Sequence, residues 1–563
     1  MIARSLLNQT GIYVALAVII SVNQNAFAQI VPDNTLSTES SVVTPNTTIR
    51  GIESDRIDGG AVRGANLFHS FEQFNIDTGR GAYFTNPSGI SNIFSRVTGA
   101  NRSQILGRLG VLGNANLLFI NPQGIVFGSN ASLDVQGSFL ATTANAIRLG
   151  DVGLFSASQP ATSNLLSVSP SALWFNAVSA SRNSAGTAAQ SIVNRSQAQS
   201  NISQPNSANL SPGLQVQPDR TLALVGGDVL LEGGRLTAAG GRIELGSVAG
   251  IGQVSLSQSG NRFVLGYDAI NDFGRIGLFN GAFVDVSGAR GDIQIRGDQL
   301  AMGQNSNIWA DTPIGNGGEI RIRVAEATLS GSSVISADVA STGTGGNITI
   351  NTERLRLREG AKVSVNTVRS GQGGNLQIMA DSVEVNGLAN GQTGSSSALA
   401  AESFASGSAG NLTIDTRQLR IRDGARISGS VRGAGKGGNL QITATDLVEL
   451  SGVSPNVRDL SGLTTESLGS GNSGDIQIDA GGLRISDRGV INSASSGSGN
   501  ASNIDMTVRD TLQANDGTIK TSAERSAGGA IDIQAGNIRL FGNSDIRSEV
   551  ASGAENGCTT CTL

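Results

Sequence analysis

Two cysteines near the end of the chain, Cys558 and Cys561, have the spacing of a redox-active pair. Thiol–disulfide enzymes use a pair separated by two residues, and they lower the thiol pKa at the start of a helix. The sequence around residues 558–563 predicts no helix. We therefore interpret the pair as an incidental feature of the tail, and its redox state is left open.

Other residue patterns that support catalysis are missing from the sequence. His69 is the only histidine, and metal binding or acid–base chemistry usually needs partners, so we predict a structural role for it. The chain contains no GxSxG, HExxH or P-loop motif, and the glycine-rich residues 343–347 lack the lysine and helix of a phosphate site. We predict no catalytic residue, no metal and no cofactor, calcium included.

Aspartate and arginine are the groups with which some parallel β-helices cleave polysaccharides, and both are present here. A β-helical polysaccharide-active enzyme therefore stays as an alternative. The acidic residues recur at equivalent places in a repeat, for example Asp292, Glu319 and Asp475, which is the pattern of a solvated face. We expect a protein that is not an enzyme.

One stretch in the first third of the chain has the form of a strand, a tight turn and a strand. Residues 117–120 are apolar strand formers, and Asn121-Pro122-Gln123-Gly124 follows them. Pro122 presets φ at the second turn position, Asn121 can bond its own backbone, and Gly124 suits the exit, so we predict a type I turn. Ile125 then begins another strand. Sterics explain the turn but not its purpose.

This stretch resembles the N-terminal secretion domain of filamentous-haemagglutinin-like exoproteins, the passengers of two-partner secretion. The family pattern is Asn-Pro-Asn-Gly-Ile, so Gln123 departs from it at one position, and the following VFG and ASLDVQGSFLATT also match. A second family motif, Asn-Pro-Asn-Leu, is not recognisable, although residues 84–90 and 97–107 lie where it is expected. The resemblance covers roughly residues 30–150.

The resemblance implies that an outer-membrane β-barrel transporter recognises this region and exports the chain, which then folds outside the cell as a β-helical rod. The implied secretion motif is Asn121, Pro122, Gln123, Gly124 and Ile125. We expect a secreted or cell-surface, adhesin-like protein of Gram-negative type with an unknown surface or glycan ligand. A truncated haemolysin or contact-dependent toxin passenger is a second alternative, and some family members end in a small disulfide loop.

The N-terminus has the features of an export signal that is removed. Arg4 supplies a positive start, residues 11–22 are apolar, and Ala26-Phe27-Ala28 fits a signal cleavage site. Twelve apolar residues are too few to span a bilayer, and no later segment is long enough, so we predict no membrane span. Residues 1–28 are the predicted signal peptide.

The composition and charge exclude several other classes of protein. Glycine is abundant at 76 of 563 residues, and charged residues are scarce at 15%. The net charge of −5 and the scattered lysines provide no basic patch, so no nucleic-acid partner is expected. With two cysteines, the chain has no disulfide framework. Many short strands joined by tight turns fit this composition.

A repeated theme dominates the second half of the chain. Glycine precedes Asn or an acidic residue, and an apolar-x-apolar triplet follows, as at Asn347-Ile-Thr-Ile and Asn375-Leu-Gln-Ile. The repeat length is about 28 residues, with two insertions of eight that should bulge outward. A fixed period with strand alternation is the signature of a solenoid. Apolar residues should point inward, and the asparagines should stack as an amide ladder.

The sequence therefore predicts an all-β protein, a right-handed parallel β-helix with an N-terminal β-rich cap. The two-partner secretion domain is assigned to residues 29–150. Residues 151–213 are assigned to weak strands and a Ser/Asn/Gln-rich loop, and residues 214–557 to the repetitive helix. Four phenylalanines, Phe68, Phe71, Phe74 and Phe84, are expected to cap one end of the core. The chain ends within a repeat, which also fits a longer natural product.

Overall fold

The computed structural model describes residues 30–176, 190–200, 213–388, 394–455, 458–551 and 561–562. These residues form a parallel β-helix, in which each coil contributes strands to three faces. The predicted β-helix is confirmed. The described residues also include two short 3₁₀ helices, Ser37–Glu39 and Pro160–Thr162. The predicted signal peptide, residues 1–28, lies outside the described residues.

Face one begins with eight parallel strands in the first coils. They are Asn66–Phe74, Asn92–Val97, Asn116–Ile120, Phe139–Thr142, Thr221–Gly226, Arg242–Ser247, Asp292–Arg296 and Glu319–Arg323. Face two begins with seven strands that follow them along the chain. They are Ser103–Ile105, Ile125–Phe127, Ile192–Asn194, Val229–Glu232, Arg275–Phe279, Gln299–Met302 and Glu326–Leu329.

Later coils use one long strand for faces one and two together. These strands are Asn347–Leu357, Leu376–Asn386, Leu412–Arg422, Leu440–Ser451, Ile476–Ser486, Ile504–Asn515 and Ile531–Phe541. The short strand Cys561–Thr562 pairs in parallel with Ile531–Asp532, which places Cys561 on face one. Cys558 lies outside the described residues.

Face three consists of two sheets of parallel strands. The first contains Ile52–Gly59, Gly81–Thr85, Arg108–Leu112 and Ser132–Asp134. The second contains Leu214–Gln215, Arg235–Thr237, Phe283–Asp285, Asn307–Trp309, Val334–Ser336, Lys362–Ser364, Ala398–Ala400, Arg426–Ser428, Gly462–Ser467, Val490–Ser495, Thr518–Ala523 and Asp545–Val550. Three antiparallel strands, Ile30–Pro32, Ser41–Ile49 and Ala61–Arg63, adjoin the first coils.

The strand register reproduces the predicted repeat. The residues paired in sequence along face one are Ile293, Ile320, Ile348, Leu376, Leu412, Leu440, Ile476, Ile504 and Ile531. Their differences are the expected 27, 28 or 36 residues. All of these side chains are buried in one continuous core, because alternate residues of a strand point to opposite sides of the sheet.

The two insertions lie at the same corner of the helix, between faces two and three. The first separates strand Leu376–Asn386 from Ala398–Ala400, and the second separates Leu440–Ser451 from Gly462–Ser467. They contact each other where Ser396 Oγ donates a 3.1 Å hydrogen bond to Asp459 Oδ2. The coils on either side of each insertion keep their register.

The asparagine ladder differs from the prediction. We expected side-chain amides to bond to one another, but each side-chain oxygen instead accepts the main-chain N–H of the equivalent residue one coil later. Asn347 Oδ1 accepts from Asn375 N at 2.8 Å, and Asn375 Oδ1 accepts from Asn411 N at 2.9 Å. The corner has a main-chain N–H that the parallel ladder leaves unpaired, and the short asparagine side chain reaches it.

An outer sheet that the sequence did not predict covers the early part of face one. Its strands are Gly153–Ser156, Ala146–Leu149, Pro170–Phe175, Gly252–Ser259 and Arg262–Ala269, all antiparallel. They enclose a second core with the outward side chains of face one, among them Phe94 and Leu118. Face-one strands such as Asn116–Ile120 are therefore buried on both sides, which explains their unbroken apolar sequence.

The predicted phenylalanine cap is wrong for one of its four members. Phe71, Phe74 and Phe84 pack together inside the helix, with the Phe71 and Phe74 ring centroids 5.1 Å apart. Phe68 lies in the second core instead, where its ring stacks on Phe94 at 4.9 Å. Phe68 and Phe71 occupy places of opposite parity in one strand, so their side chains point to opposite sides.

The segment 151–213, which the sequence assigned to weak strands and a Ser/Asn/Gln-rich loop, is described in part. Its described part contains the strand Ile192–Asn194, which pairs in parallel with Ile125–Phe127 before it and Val229–Leu231 after it. Residues 177–189 and 201–212 lie outside the described residues. The division of the chain at residues 150 and 213 stays a prediction, and parallel pairing on face one runs directly from Phe139–Thr142 to Leu222–Val225.

Candidate functional site

The turn at residues 121–125 connects a face-one strand to a face-two strand of the same coil. Gly124 N donates to Asn121 O at 3.1 Å, which closes a four-residue turn, and Gln123 N donates to Asn121 Oδ1 at 2.9 Å. Gly124 has a φ of +111°, a conformation that favours glycine. The predicted tight turn therefore forms from the residues that the sequence indicated.

The side chain of Asn121 is fully buried and binds the coil before it. Its Nδ2 atom donates to Ser103 Oγ at 3.0 Å and to Asn101 O at 3.1 Å. Together with the bond from Gln123 N, these contacts satisfy both donors and the acceptor of the carboxamide. An aspartate would lose both donors, and an alanine would leave buried polar groups unpaired.

The main chain of the same turn is bonded to both neighbouring coils. Asn121 N donates to Thr142 O at 3.0 Å, and Ile125 N donates to Ser191 O at 3.1 Å. On the other side, Ser103 N donates to Gly124 O at 3.0 Å. The turn is therefore a junction of successive coils at one corner of the helix.

The five residues of the turn differ in their access to solvent. Asn121, Pro122, Gly124 and Ile125 are buried, whereas Gln123 is exposed. Gln123 is also the position that departs from the family pattern, and an exposed side chain there tolerates the change from Asn to Gln. Their role as a recognised secretion motif stays a prediction.

Sequence reasoning missed the two residues that hold Asn121 in place. Asn101 and Ser103 lie in the stretch 97–107, where the second family motif was sought, and they act through a carbonyl and a hydroxyl. Ser103 begins a three-residue strand that is parallel to Ile125–Phe127. A polar residue at the start of such a short strand gives no distinctive sequence signal.

A buried arginine joins the outer sheet region to the first coils. Arg96 is fully buried in strand Asn92–Val97. It donates to Ser70 Oγ at 2.8 Å, to Ser156 O at 2.6 Å and to Thr35 Oγ1 at 2.8 Å. Its guanidinium also lies 4.5 Å from the centre of the Phe155 ring. Burial lowers the pKa of Arg96 to about 10, so the group remains cationic at neutral pH.

Asp33 supplies the opposite charge of this network without a direct ion pair. Its carboxylate accepts hydrogen bonds from Thr35, Ser70 and Thr98, at 2.6 to 2.8 Å from their hydroxyls. Burial acts to raise the pKa of Asp33, but the hydrogen bonds from Thr35 and Thr98 outweigh it, so the pKa is lowered. The hydroxyls of Thr35 and Ser70 therefore bridge the Asp33 carboxylate and the Arg96 guanidinium, and this network fixes the N-terminal strands to the helix.

The only histidine has a structural environment. His69 is fully buried, and its Nδ1 atom lies 3.1 Å from Ser41 Oγ, while the ring packs against Phe84 at 5.1 Å. Burial lowers the pKa of His69 to about 3, so the imidazole is neutral. Among the described residues, no group of three or more His, Cys, Asp or Glu side chains is placed to hold a metal ion.

A buried charged pair lies beneath the outer sheet. Arg242 Nε donates to Glu244 Oε1 at 2.6 Å, and both side chains are buried. Glu244 Oε2 and the nearby Tyr267 hydroxyl have no hydrogen-bond partner. Burial raises the pKa of Glu244 to about 7, although Arg242 acts in the opposite direction.

The part of the chain that holds the outer sheet and the buried Asn-Pro turn matches a known family of secretion domains. Residues 28–299 match the family described as TPS secretion domain. Residues 28–299 therefore carry a TPS secretion domain, and the comparisons support a secreted exoprotein that two-partner secretion exports through the periplasm to the cell surface or the extracellular space. The resemblance stated from the turn is confirmed. A domain of this family implies an outer-membrane transporter as partner.

Two individual proteins can be compared with this chain. It is 34% identical over 83 residues to a heme/hemopexin-binding protein of Haemophilus influenzae, and the match spans 15% of this chain and 9% of that protein. The crystal structure of the HMW1 secretion domain from Haemophilus influenzae superposes with a TM-score of 0.49 at 19% identity. That superposition covers 72% of this chain and 94% of the other. In the described part of the chain, no helix has the length and apolarity to cross a membrane.

Proposed function

We propose that this chain is an adhesin-like exoprotein whose export depends on the turn Asn121–Ile125. The observation that carries the proposal is the burial of Asn121, whose side chain binds Asn101 and Ser103 of the preceding coil. The family match supplies the export route.

The turn acts through its structure rather than by displaying its side chains. Asn121 and Pro122 are inside the folded domain, and Gln123 is the exposed side chain of the five. A folded domain therefore offers a partner little of this motif. The buried residues instead fix the corner where the coils on both sides of the turn meet, and so determine whether the emerging chain folds.

The test is an export assay in a Gram-negative host that also expresses the cognate transporter. The variant Asn121→Ala combined with Pro122→Ala should reduce the amount of protein in the medium strongly. Ser103→Ala should reduce it less, because it removes one of the two acceptors of Asn121 Nδ2. Gln123→Ala is the matched control and should be exported like the unchanged protein.

Two results would contradict the proposal. Export of the double variant at the unchanged level would show that the turn is dispensable. Loss of export in Gln123→Ala as complete as in the double variant would show that a partner recognises the exposed tip of the turn. Immunoblots of the periplasm and the medium separate a failure of export from a failure of synthesis.

A further inference from the structure

A polar groove runs along the outside of face one in the last third of the chain. It has a volume of about 340 Å³ and crosses four successive coils, whose face-one strands lie one beside another. The outer sheet covers face one only in the earlier coils. Two parallel columns of side chains line the groove, and each coil supplies one residue to each column.

The first column contains Asn411, Asn439, Asp475 and Asn503. Asn411 Oδ1 accepts from Asn439 N at 3.3 Å, and Asn439 Oδ1 accepts from Asp475 N at 3.1 Å. Each oxygen is thus held by the next coil, which also fixes the direction of the Nδ2 group on the same carboxamide. Those Nδ2 groups donate to no protein atom among the described residues.

The second column contains Thr413, Gln441, Gln477 and Asp505. Direct register pairs connect them, since Thr413 lies beside Gln441, Gln441 beside Gln477, and Gln477 beside Asp505. Gln441, Gln477 and Asp505 are exposed, and in the described structure their side chains bond to no other residue. The groove therefore presents hydrogen-bonding groups that the protein itself does not use.

Face two of the same coils is built differently. In the first two of these coils its outward side chains pair with each other as ions: Arg422 lies 2.9 Å from Glu449, and Arg420 lies 3.4 Å from the same carboxylate. Such a surface satisfies its own charges, which is the pattern of a face that contacts only solvent. The amides on face one make no such pairs with each other, so their donors and acceptors are available to a ligand.

We propose that this groove binds an extended, uncharged polysaccharide. The polar groups repeat once per coil, at the strand spacing of about 4.8 Å. An extended β-linked glycan places a sugar at a similar interval, so that one hydroxyl-bearing unit meets each coil. Hydroxyls both donate and accept, which matches a groove that mixes amides, a hydroxyl and carboxylates.

The charge of the groove selects against acidic polymers. Asp475 and Asp505 line it, and no arginine or lysine does. Burial, together with the neighbouring Asp532 and Asp475, raises the pKa of Asp505. A polyuronate or a nucleic acid would add further negative charge, whereas a neutral glycan would not.

Isothermal titration calorimetry on the purified mature chain tests this inference. The probes are neutral hexasaccharides of β-1,4-glucan, β-1,4-mannan and β-1,3-glucan, compared with a polyuronate hexasaccharide. At least one neutral probe should bind saturably, and the polyuronate should bind more weakly. Gln441→Ala combined with Gln477→Ala should weaken binding by about tenfold or more, since each lost hydrogen bond is worth a factor of several.

Gln513→Ala is the matched control, because Gln513 lies on face two of the strand that carries Asp505. It should leave binding unchanged. The inference is overturned if no neutral hexasaccharide binds or if the polyuronate binds best. It is also overturned if Gln513→Ala weakens binding as much as the double variant on face one does. This inference rests on the adhesin-like function proposed above. The calorimetric assay uses purified protein, so a failure of transporter-dependent export would not change the binding result.

Discussion

Gly374 and Gly410 occupy equivalent places on successive coils, and their backbones are in contact. A Cβ atom placed on Gly410 would lie 1.7 Å from the main-chain oxygen of Gly374. The same close approach recurs before Asn439 and Asp475, where a Cβ on Gly438 would lie 2.2 Å from Gly410 O and one on Gly474 would lie 2.0 Å from Gly438 O. The Gly-Asn theme of the sequence is therefore a steric requirement joined to a hydrogen-bonding one.

Replacement of Gly410 by alanine should destabilise the helix. The added methyl group meets backbone rather than a flexible side chain, so the coils must separate locally, at a cost of about 1–3 kcal/mol or more. Gly482→Ala is the control, because its Cβ would find no atom closer than 3.7 Å. Urea unfolding followed by circular dichroism measures both, and equal stabilities would contradict the steric account.

Asn121→Ala should lower the free energy of unfolding by about 2–3 kcal/mol, because the Ser103 hydroxyl and the main-chain N–H of Gln123 lose their hydrogen-bond partner. Gln123→Ala should change it by less than about 0.5 kcal/mol, since the side chain is exposed. The same unfolding assay compares the two variants. If the Asn121→Ala protein is as stable as the parent, the Asn121 side chain does not stabilise the fold.

The buried Glu244 should make stability depend on pH in a defined window. Its pKa is raised from the ordinary value of 4.5 to about 7 in the folded protein, so the folded state holds a proton that the unfolded state has released. Stability should therefore fall as the pH rises from about 4.5 to about 7, by an amount on the order of 2–4 kcal/mol, and then level off.

Glu244→Gln should flatten this part of the pH profile, because glutamine keeps the shape and has no proton to lose. Thermal unfolding at several pH values compares the variant with the parent. His69 contributes in the opposite direction: its pKa is lowered to about 3 in the folded protein, so stability is lost as the pH falls below the ordinary histidine value of 6.5. That contribution is common to both proteins and cancels in their difference. Identical profiles of stability against pH for Glu244→Gln and the parent would contradict the assignment of this pH dependence to Glu244.

The sequence predicted the repetitive helix well because its signals are local. Apolar residues alternate with polar ones within each triplet. The sequence positions of Ile348, Leu376 and Leu412 alone give the number of residues per coil. The turn at Asn121 was also predictable, because proline and glycine restrict the backbone in known ways. These features depend on neighbours in the chain or on strict repetition.

The missed features depend on contacts between distant segments. The outer sheet brings residues 146–175 against residues 252–269, and neither segment belongs to the repeat. The strand Ile192–Asn194 is only three residues long and lies in a polar stretch, so no periodicity marks it. Arg96 and Glu244 point outward from face one, where the sequence predicts that a charged side chain is exposed to solvent. The outer sheet covers this part of face one and buries both side chains.

The most direct test of the whole account is the location of the protein with and without the cognate outer-membrane transporter in a Gram-negative host. The protein should reach the medium or the cell surface only when the transporter is present. A transporter variant that is inserted but inactive serves as the control. Folded protein that accumulates in the periplasm regardless of the transporter would contradict the account.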